Sequence, residues 1–436
     1  MLIQFTVKNY KSFKEKAIFS LLASKYDKKE LEKSNIINVE KFWLRLLKSW
    51  IIYWANASWK SKFIDAINFF KSFTVKIWFK SSKWDIINID YFKLNDYSDK
   101  IPTEFEIIFL NNNNLYRYWF ETTKNNIISE WLFYKENRKE ILIFYRENNR
   151  IEKINEKYFK KWLVIKNENL LRENILLLSL AAWQLNEKWI VSDVYNRINN
   201  NLRISNWLSN KIEKYTQSQI CELTDKKNEI LNLLNWVNIN VSNIEIETDV
   251  EKILKKMKLL SDEDKDEIRQ KITESQWTIL WDTLLYYKKF NKEYNIIWEE
   301  SFSMEKDESS WTRKFFALTW PIIDTIENWY TLIVDELEAK LHTNLVEKII
   351  SIFNSNTLNK NNAQLIATTH NTNILSNILF RRDQIWFIEK NIYWESSLYS
   401  LSDFSIKSEE NFEKNYIRWK YWATPKIKNL EYILNK

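Results

Sequence analysis

Two tryptophans stand where phosphate chemistry would require glycine. The stretch Trp54-Ala55-Asn56-Ala57-Ser58-Trp59-Lys60-Ser61-Lys62 follows a short apolar run and precedes a helix-like one. With glycine at positions 54 and 59 it reads G-x-x-x-x-G-K-S. Backbone N–H groups of such a loop wrap a β-phosphate, and the helix behind it adds its dipole. Lys60 would neutralise phosphate oxygens and Ser61 would ligate Mg²⁺, with Lys62 counted in the same nucleotide-binding stretch. As written, an indole occupies each point where the backbone has to approach the phosphate.

Three further clusters carry compatible chemistry. Thr331-Leu332-Ile333-Val334-Asp335-Glu336 is an apolar run ending in two acids. A buried parallel strand with that ending presents both carboxylates at the sheet edge where ligands bind. Asp335 would hold Mg²⁺, directly or through water, and Glu336 would polarise an attacking water. Gln364-Leu365-Ile366-Ala367-Thr368-Thr369-His370 is a second such strand, which sets His370 where it could sense a γ-phosphate. The only other histidine, His342, is expected to shape the loop after the acids, and two histidines so far apart do not suggest a metal site of their own. The last cluster is Glu308-Ser309-Ser310-Trp311-Thr312-Arg313. With glycine at 311 it reads Ser-Ser-Gly-Thr at a helix start, an arrangement of hydroxyls and N–H groups suited to an anion.

The chain has 436 residues, no glycine and 23 tryptophans. Average usage predicts roughly 30 glycines in such a length. The tryptophans also fall where glycine is wanted. Trp329 lies between a helix-like stretch and a strand, where a left-handed residue is expected. Trp394 splits two β-like runs at a tight turn. Trp419 and Trp422 alternate with charged and aromatic residues near the end of the chain. Trp131, between Glu130 and Leu132, sits in a context that welcomes an indole and reads as genuine. The expectation is a gene in which UGA encodes glycine, written out with UGA as tryptophan. Were the tryptophans literal, the chain would read instead as a non-enzymatic interaction module.

The elements that must position these residues follow from pattern. Short β-like runs occupy 2–7, 17–22, 50–53, 74–79, 104–110, 115–121 and 141–145, with one strong helix from Lys60 to about Phe70. From about Asn167 to Lys289 the apolar period is helical. An α/β pattern then resumes: a helix near 312–327, the strand 330–334, a helix 345–353, the strand 364–368, and short runs at 385–388 and 398–401. This predicts an α/β head with a mixed or parallel sheet, built from residues 1–165 and 296–436 and interrupted by a helical insertion at 166–295. The net charge of +7 permits weak contact with DNA without arguing for it. Cys221 is the single cysteine, so no disulfide forms within the chain, and a cytoplasmic setting is expected. The longest apolar run, 175–183, is too short to span a bilayer.

The order of motifs resembles the ABC-type ATPase heads of the SMC, RecF and OLD group, and more narrowly the AAA15 family linked to abortive phage infection. The matching stretches are Val7–Phe13, the loop at 54–61, Tyr118–Glu121, Glu308–His342, Ala367–Leu375, Arg381–Gln384 and Arg418–Pro425. That family has glycine at the positions of Trp54, Trp59, Trp119, Trp311, Trp419 and Trp422. The resemblance implies ATP and Mg²⁺ as ligands and a homodimer that sandwiches the nucleotide. Lys60, Ser61, Asp335, Glu336 and His370 would act in cis, with Ser309, Ser310, Trp311 and Thr312 acting in trans. The effector, if one exists, is expected to be a separate protein. A RecF-like role in DNA repair or chromosome maintenance is the competing enzymatic reading.

Overall fold

The computed structural model describes residues 1–25, 31–54, 61–75, 85–205, 211–222, 224–248, 261, 282–405, 410–418 and 420–421, without the side chains of Trp54, Ser61, Ser205, Lys211 and Thr224. The fold is mixed α/β, with sheets of both orientations. The chain forms two compact units: Met1–Ser205 with Thr325–Glu338 and Val346–Lys436, and Asn206–Asp324 with Ala339–Leu345.

In the first unit, five parallel strands and one antiparallel edge strand form a six-stranded sheet. Its order is Leu202–Ser205, Thr331–Val334, Gln364–Thr368, Ser49–Trp54, Ile385–Lys390, Ser396–Ser400. Strands 331–334 and 364–368 are buried at every residue. That is why their sequence reads as a continuous apolar run rather than an alternation. A seven-stranded antiparallel sheet runs from Arg150–Ile154 through Leu2–Lys8 to Ala17–Ser20. Its long strands, such as Thr103–Asn111, alternate between buried and half-buried residues, as one core-facing side dictates.

The helix Ser61–Val75 joins the two sheets into one core. Phe63 stacks on Phe19 at 3.9 Å and meets Trp50 of the six-stranded sheet edge-on at 5.6 Å. Phe70 lies 5.6 Å from both Phe5 and Phe120 of the seven-stranded sheet. With apolar residues on two faces, this helix is buried between layers and has no single polar stripe.

In the second unit, helix Lys211–Glu222 packs on helix Ser310–Glu327 through Thr216 Oγ1, which donates to the Ala317 carbonyl at 2.9 Å, and Tyr215, which donates to Asp324 at 3.1 Å. Helix Thr224–Trp236 follows. A three-stranded antiparallel sheet, Asn243–Ile246, Thr283–Phe290 and Ile296–Ser303, completes the unit. The apolar period predicts helix as far as Lys289, and the strand at 283–290 corrects that. Past Tyr286 this ribbon is largely exposed, so no buried face imposed a two-residue alternation on it. The strand expected at 74–79 is likewise corrected at its start, since Thr74 and Val75 end the helix Ser61–Val75. Positions 76–79 fall outside the described residues.

Backbone geometry separates the tryptophans into classes. Trp43, Trp189, Trp329 and Trp394 have φ of 56°, 69°, 51° and 65°. The left-handed conformations expected at Trp329 and Trp394 are therefore present. Trp189 combines its φ with ψ −127° directly before the helix Ile190–Asn196, a combination natural only to glycine. By contrast, Trp119 and Trp131 face one another across neighbouring strands with rings 5.5 Å apart, and Arg117 lies over Trp131 at 4.8 Å. Trp50 and Trp320 are buried, yet the indole N–H of each has no hydrogen-bond partner. Such an orphaned donor costs about 1–3 kcal/mol.

Candidate functional site

The six-stranded sheet sets three sequence clusters side by side. Strand Gln364–Thr368 lies between Thr331–Val334 and Ser49–Trp54, all parallel, so the three carboxyl ends share one edge. In register, Val334 pairs with Ala367 and Thr368 with Ile52. Two strand spacings separate the acidic strand from the loop strand, roughly 10 Å.

The loop itself is flanked as predicted, by strand Ser49–Trp54 and helix Ser61–Val75. Ala55, Asn56, Ala57, Ser58, Trp59 and Lys60 lie outside the described residues, as do the side chains of Trp54 and Ser61. Lys62, in the first helical turn, pairs with Asp65 at 3.8 Å, and Asp65 also receives Lys11 at 2.6 Å. At the same sheet edge, Lys390 ends the strand beside the loop strand, where Ile388 pairs with Trp54. Burial, then the charge of Lys62, brings the Lys390 ammonium down to about 8.

The two acids are fixed by one hydroxyl. Thr368, fully buried, donates from Oγ1 to Asp335 Oδ1 at 2.6 Å and accepts from the Glu336 N–H at 2.8 Å. The Leu337 N–H continues the turn onto the Thr368 carbonyl at 3.0 Å. Glu336 itself adopts φ 50°, a left-handed conformation that costs a non-glycine residue about 1–2 kcal/mol. This hydrogen bonding offsets the cost. Both carboxylates are half-buried. Mg²⁺ bound with a nucleotide takes one or two protein ligands and completes its shell with phosphate oxygens and water. A pinned carboxylate at Asp335 and a hydroxyl at Ser61 fit that demand.

His370 is half-buried, and its N–H donates to Glu338 Oε1 at 2.7 Å. Thr369 is buried; its N–H donates to the Ile52 carbonyl at 3.0 Å and its hydroxyl accepts from Asn371 N–H at 3.0 Å. Tyr53 donates to the Asn371 carbonyl at 3.2 Å. Burial, and secondarily the charge of Glu338, raises the Tyr53 phenol well above its usual range, so it stays a donor. Sequence reasoning passed over Thr368, Glu338 and Tyr53. A hydroxyl ending a run of apolar residues, and a third acid two positions past Glu336, were the available signals.

Ser309, Ser310, Trp311 and Thr312 belong to the second unit. Ser309 Oγ accepts from the Thr312 N–H at 3.2 Å and shares a hydrogen bond with Thr312 Oγ1 at 2.9 Å, an N-cap on helix Ser310–Glu327. Ser309 and Ser310 are exposed, Trp311 is 38% exposed, and Thr312 is buried. Trp311 is not among the residues with positive φ, so no left-handed backbone requires glycine there. His342 is exposed, and its Nδ1 accepts from the Asn344 N–H at 3.2 Å, consistent with shaping its own loop. Among the described residues, no helix is long and apolar enough to cross a membrane.

The chain matches the protein family described as "AAA domain, putative AbiEii toxin, Type IV TA system" over residues 51–193 and 243–376. Among solved structures it is similar to an SMC head domain from Thermotoga maritima, at 10% identity and a TM-score of 0.40, over 92% of this chain and 98% of that one. It is also similar to an Smc head domain with coiled coil and joint from Pyrococcus yayanosii, at 8% identity and a TM-score of 0.32, over 96% and 99%. No curated protein matches.

Proposed function

This chain belongs to the AAA-domain family just described, and on that premise we propose that it binds ATP with Mg²⁺ and hydrolyses it at a site completed by a second copy of itself. The observation that carries the proposal is the shared edge of three parallel strands, which brings the loop flanks, the Asp335–Glu336 pair and His370 together. Trp54, Trp59 and most of the other tryptophans are proposed to be UGA-encoded glycines. The four left-handed tryptophans and the two orphaned buried indoles support this.

In this reading Lys60 and the loop backbone hold the β- and γ-phosphates, while Asp335 and Ser61 hold the metal. The metal, when bound, neutralises charge on the phosphate oxygens. Glu336 accepts a hydrogen bond from the attacking water and draws off its proton as the oxygen bonds to the γ-phosphorus, while the bond from that phosphorus to the β,γ-bridging oxygen breaks and ADP leaves with the electron pair. His370 donates to a γ-phosphate oxygen. The exposed hydroxyls of Ser309 and Ser310 on the second copy reach the same phosphate, with Thr312 holding Ser309 in place. ATP therefore bridges two heads. The AbiEii toxin named for the family supports a role in phage defence by abortive infection. The damaging step would lie with a separate effector in the cytoplasm.

The test uses the form with Trp54→Gly, Trp59→Gly and Trp311→Gly. There, Glu336→Gln should keep ATP, lose hydrolysis and accumulate dimers, while Lys60→Ala should lose both binding and dimer. Light scattering with and without ATP, alongside phosphate release, reads both. A Glu336→Gln protein that stays monomeric in saturating ATP, or turns over at the parent rate, would sink the assignment.

A further inference from the structure

Glu338 performs a task that the nucleotide reading leaves unassigned. It lies on the turn that follows the two acids, three residues after Asp335. Its carboxylate reaches across to the neighbouring strand end and accepts from the His370 N–H at 2.7 Å. That is a charge-assisted bond to a backbone group, about twice the strength of a neutral one. It joins two turns that Thr368 also bridges, through its bonds to Asp335 and to the Glu336 N–H. The third strand is tied in by Tyr53, whose hydroxyl donates to the Asn371 carbonyl immediately after His370. The turn at Thr369–Asn371 is thus held on one side by Glu338, from the turn after the acidic strand, and on the other by Tyr53 of the loop strand.

We infer that Glu338 is a positioning residue: it fixes the Thr369–His370 turn relative to Asp335 and Glu336, so that the imidazole and the two acids keep one spacing. The inference rests on the proposed roles of Glu336 and His370 only for its catalytic consequence. The positioning itself is a property of the nucleotide-free chain. A carboxylate is not required for this task as an acid or base. It is required as an acceptor at the end of a side chain of that length.

The chain has two histidines, so ¹⁵N-histidine labelling of the full-length protein yields two backbone amide signals, assigned with His342→Gln. Glu338→Ala should move the His370 amide upfield and speed its exchange with solvent, leaving the His342 amide unchanged. Glu338→Gln should hold the His370 signal, because an amide oxygen still accepts. Glu338→Asp keeps the charge but withdraws it by one methylene, so it should behave as alanine does. It also serves as the readout should the alanine variant not fold.

In the glycine-restored protein, Glu338→Ala should lower kcat by about 10²-fold, the loss expected of a misplacement of about 1 Å. KM for ATP should stay within about threefold, since the interaction acts on the reacting geometry and not on ground-state binding. Glu338→Gln should restore kcat. A His370 amide indifferent to Glu338→Ala and Glu338→Asp would overturn the proposal. So would a Glu338→Gln variant as slow as the alanine one, which would give the carboxylate a role in proton transfer instead. If Glu336→Gln hydrolyses like the parent, the ATPase reading fails, while the amide shifts still decide the positioning.

Discussion

Replacing an exposed tryptophan by glycine normally destabilises a protein or does nothing, so a predicted gain is a sharp test of the recoding. Trp43, Trp189 and Trp394 are 93%, 63% and 54% exposed, and all have positive φ. All three lie in the first compact unit, so a single unfolding transition reports on them. Holding a side chain in the left-handed region costs about 1–2 kcal/mol per residue. Glycine returns about 0.4–1 kcal/mol of that through the greater freedom of its unfolded chain. The net is about 0.5–1 kcal/mol per position, or roughly 1.5–3 kcal/mol for three distant sites taken as additive. Two cations lie over these rings, Lys160 at 5.4 Å from Trp189 and Lys390 at 4.8 Å from Trp394. The exposed Lys160 contact returns about 0.5 kcal/mol, and the Lys390 contact, whose ammonium is buried, about 1 kcal/mol.

The triple variant Trp43→Gly, Trp189→Gly, Trp394→Gly should therefore be more stable than the parent by about 1 kcal/mol. Urea unfolding followed by far-ultraviolet circular dichroism measures this without relying on the indoles removed. Trp131→Gly is the control. Its ring is stacked on Trp119 in mid-sheet, so that variant should lose about 2 kcal/mol. A triple variant less stable than the parent, with an unchanged denaturant slope, would refute the reasoning. Peptide masses from the native source give an independent answer: glycine is expected at positions 43, 54, 59, 189, 329 and 394, and indole mass at 54 and 59 would end the recoding hypothesis.

Two further outcomes are expected. Thr368→Val keeps the shape of a buried side chain but removes the donor to Asp335 and the acceptor for the Glu336 N–H. It should cost about 2–4 kcal/mol in urea unfolding, and in the glycine-restored protein should slow hydrolysis more than it weakens ATP binding; an unaltered midpoint and rate would show the bridge to be incidental. Lys48 is fully buried, and burial brings its ammonium down to about 8 from an ordinary 10.5. The unfolded chain then binds the extra proton between those two values, so stability should rise with pH through that window. Below pH 8 the folded chain carries the full cost of a buried charge. Lys48→Met should flatten the rise between pH 8 and 10.5 and raise stability at neutral pH, and a rise of the same size in the variant would assign it to another group.

The α/β plan and the identity of the acidic and histidine-bearing strands were legible in the chain. Parallel strands buried on both faces leave unbroken apolar runs such as Leu332–Val334 and Leu365–Ala367, and the polar residues that end them can only emerge at a sheet edge. The left-handed positions at Trp329 and Trp394 were legible too, because a helix end before a strand and a two-strand turn demand that backbone whatever residue is written there. Strand order was not legible. That Gln364–Thr368 inserts between the loop strand and the acidic strand depends on how helices pack on the sheet faces, which no local pattern encodes. Only that insertion made Thr368 the clamp on both acids and brought Glu338 to His370, across 32 residues of chain in each case. The sheet at 243–303 escaped detection for the converse reason. Past Tyr286 the ribbon is largely exposed on both faces and no core constrains it, so its buried alternation is confined to the few residues Thr283–Tyr286.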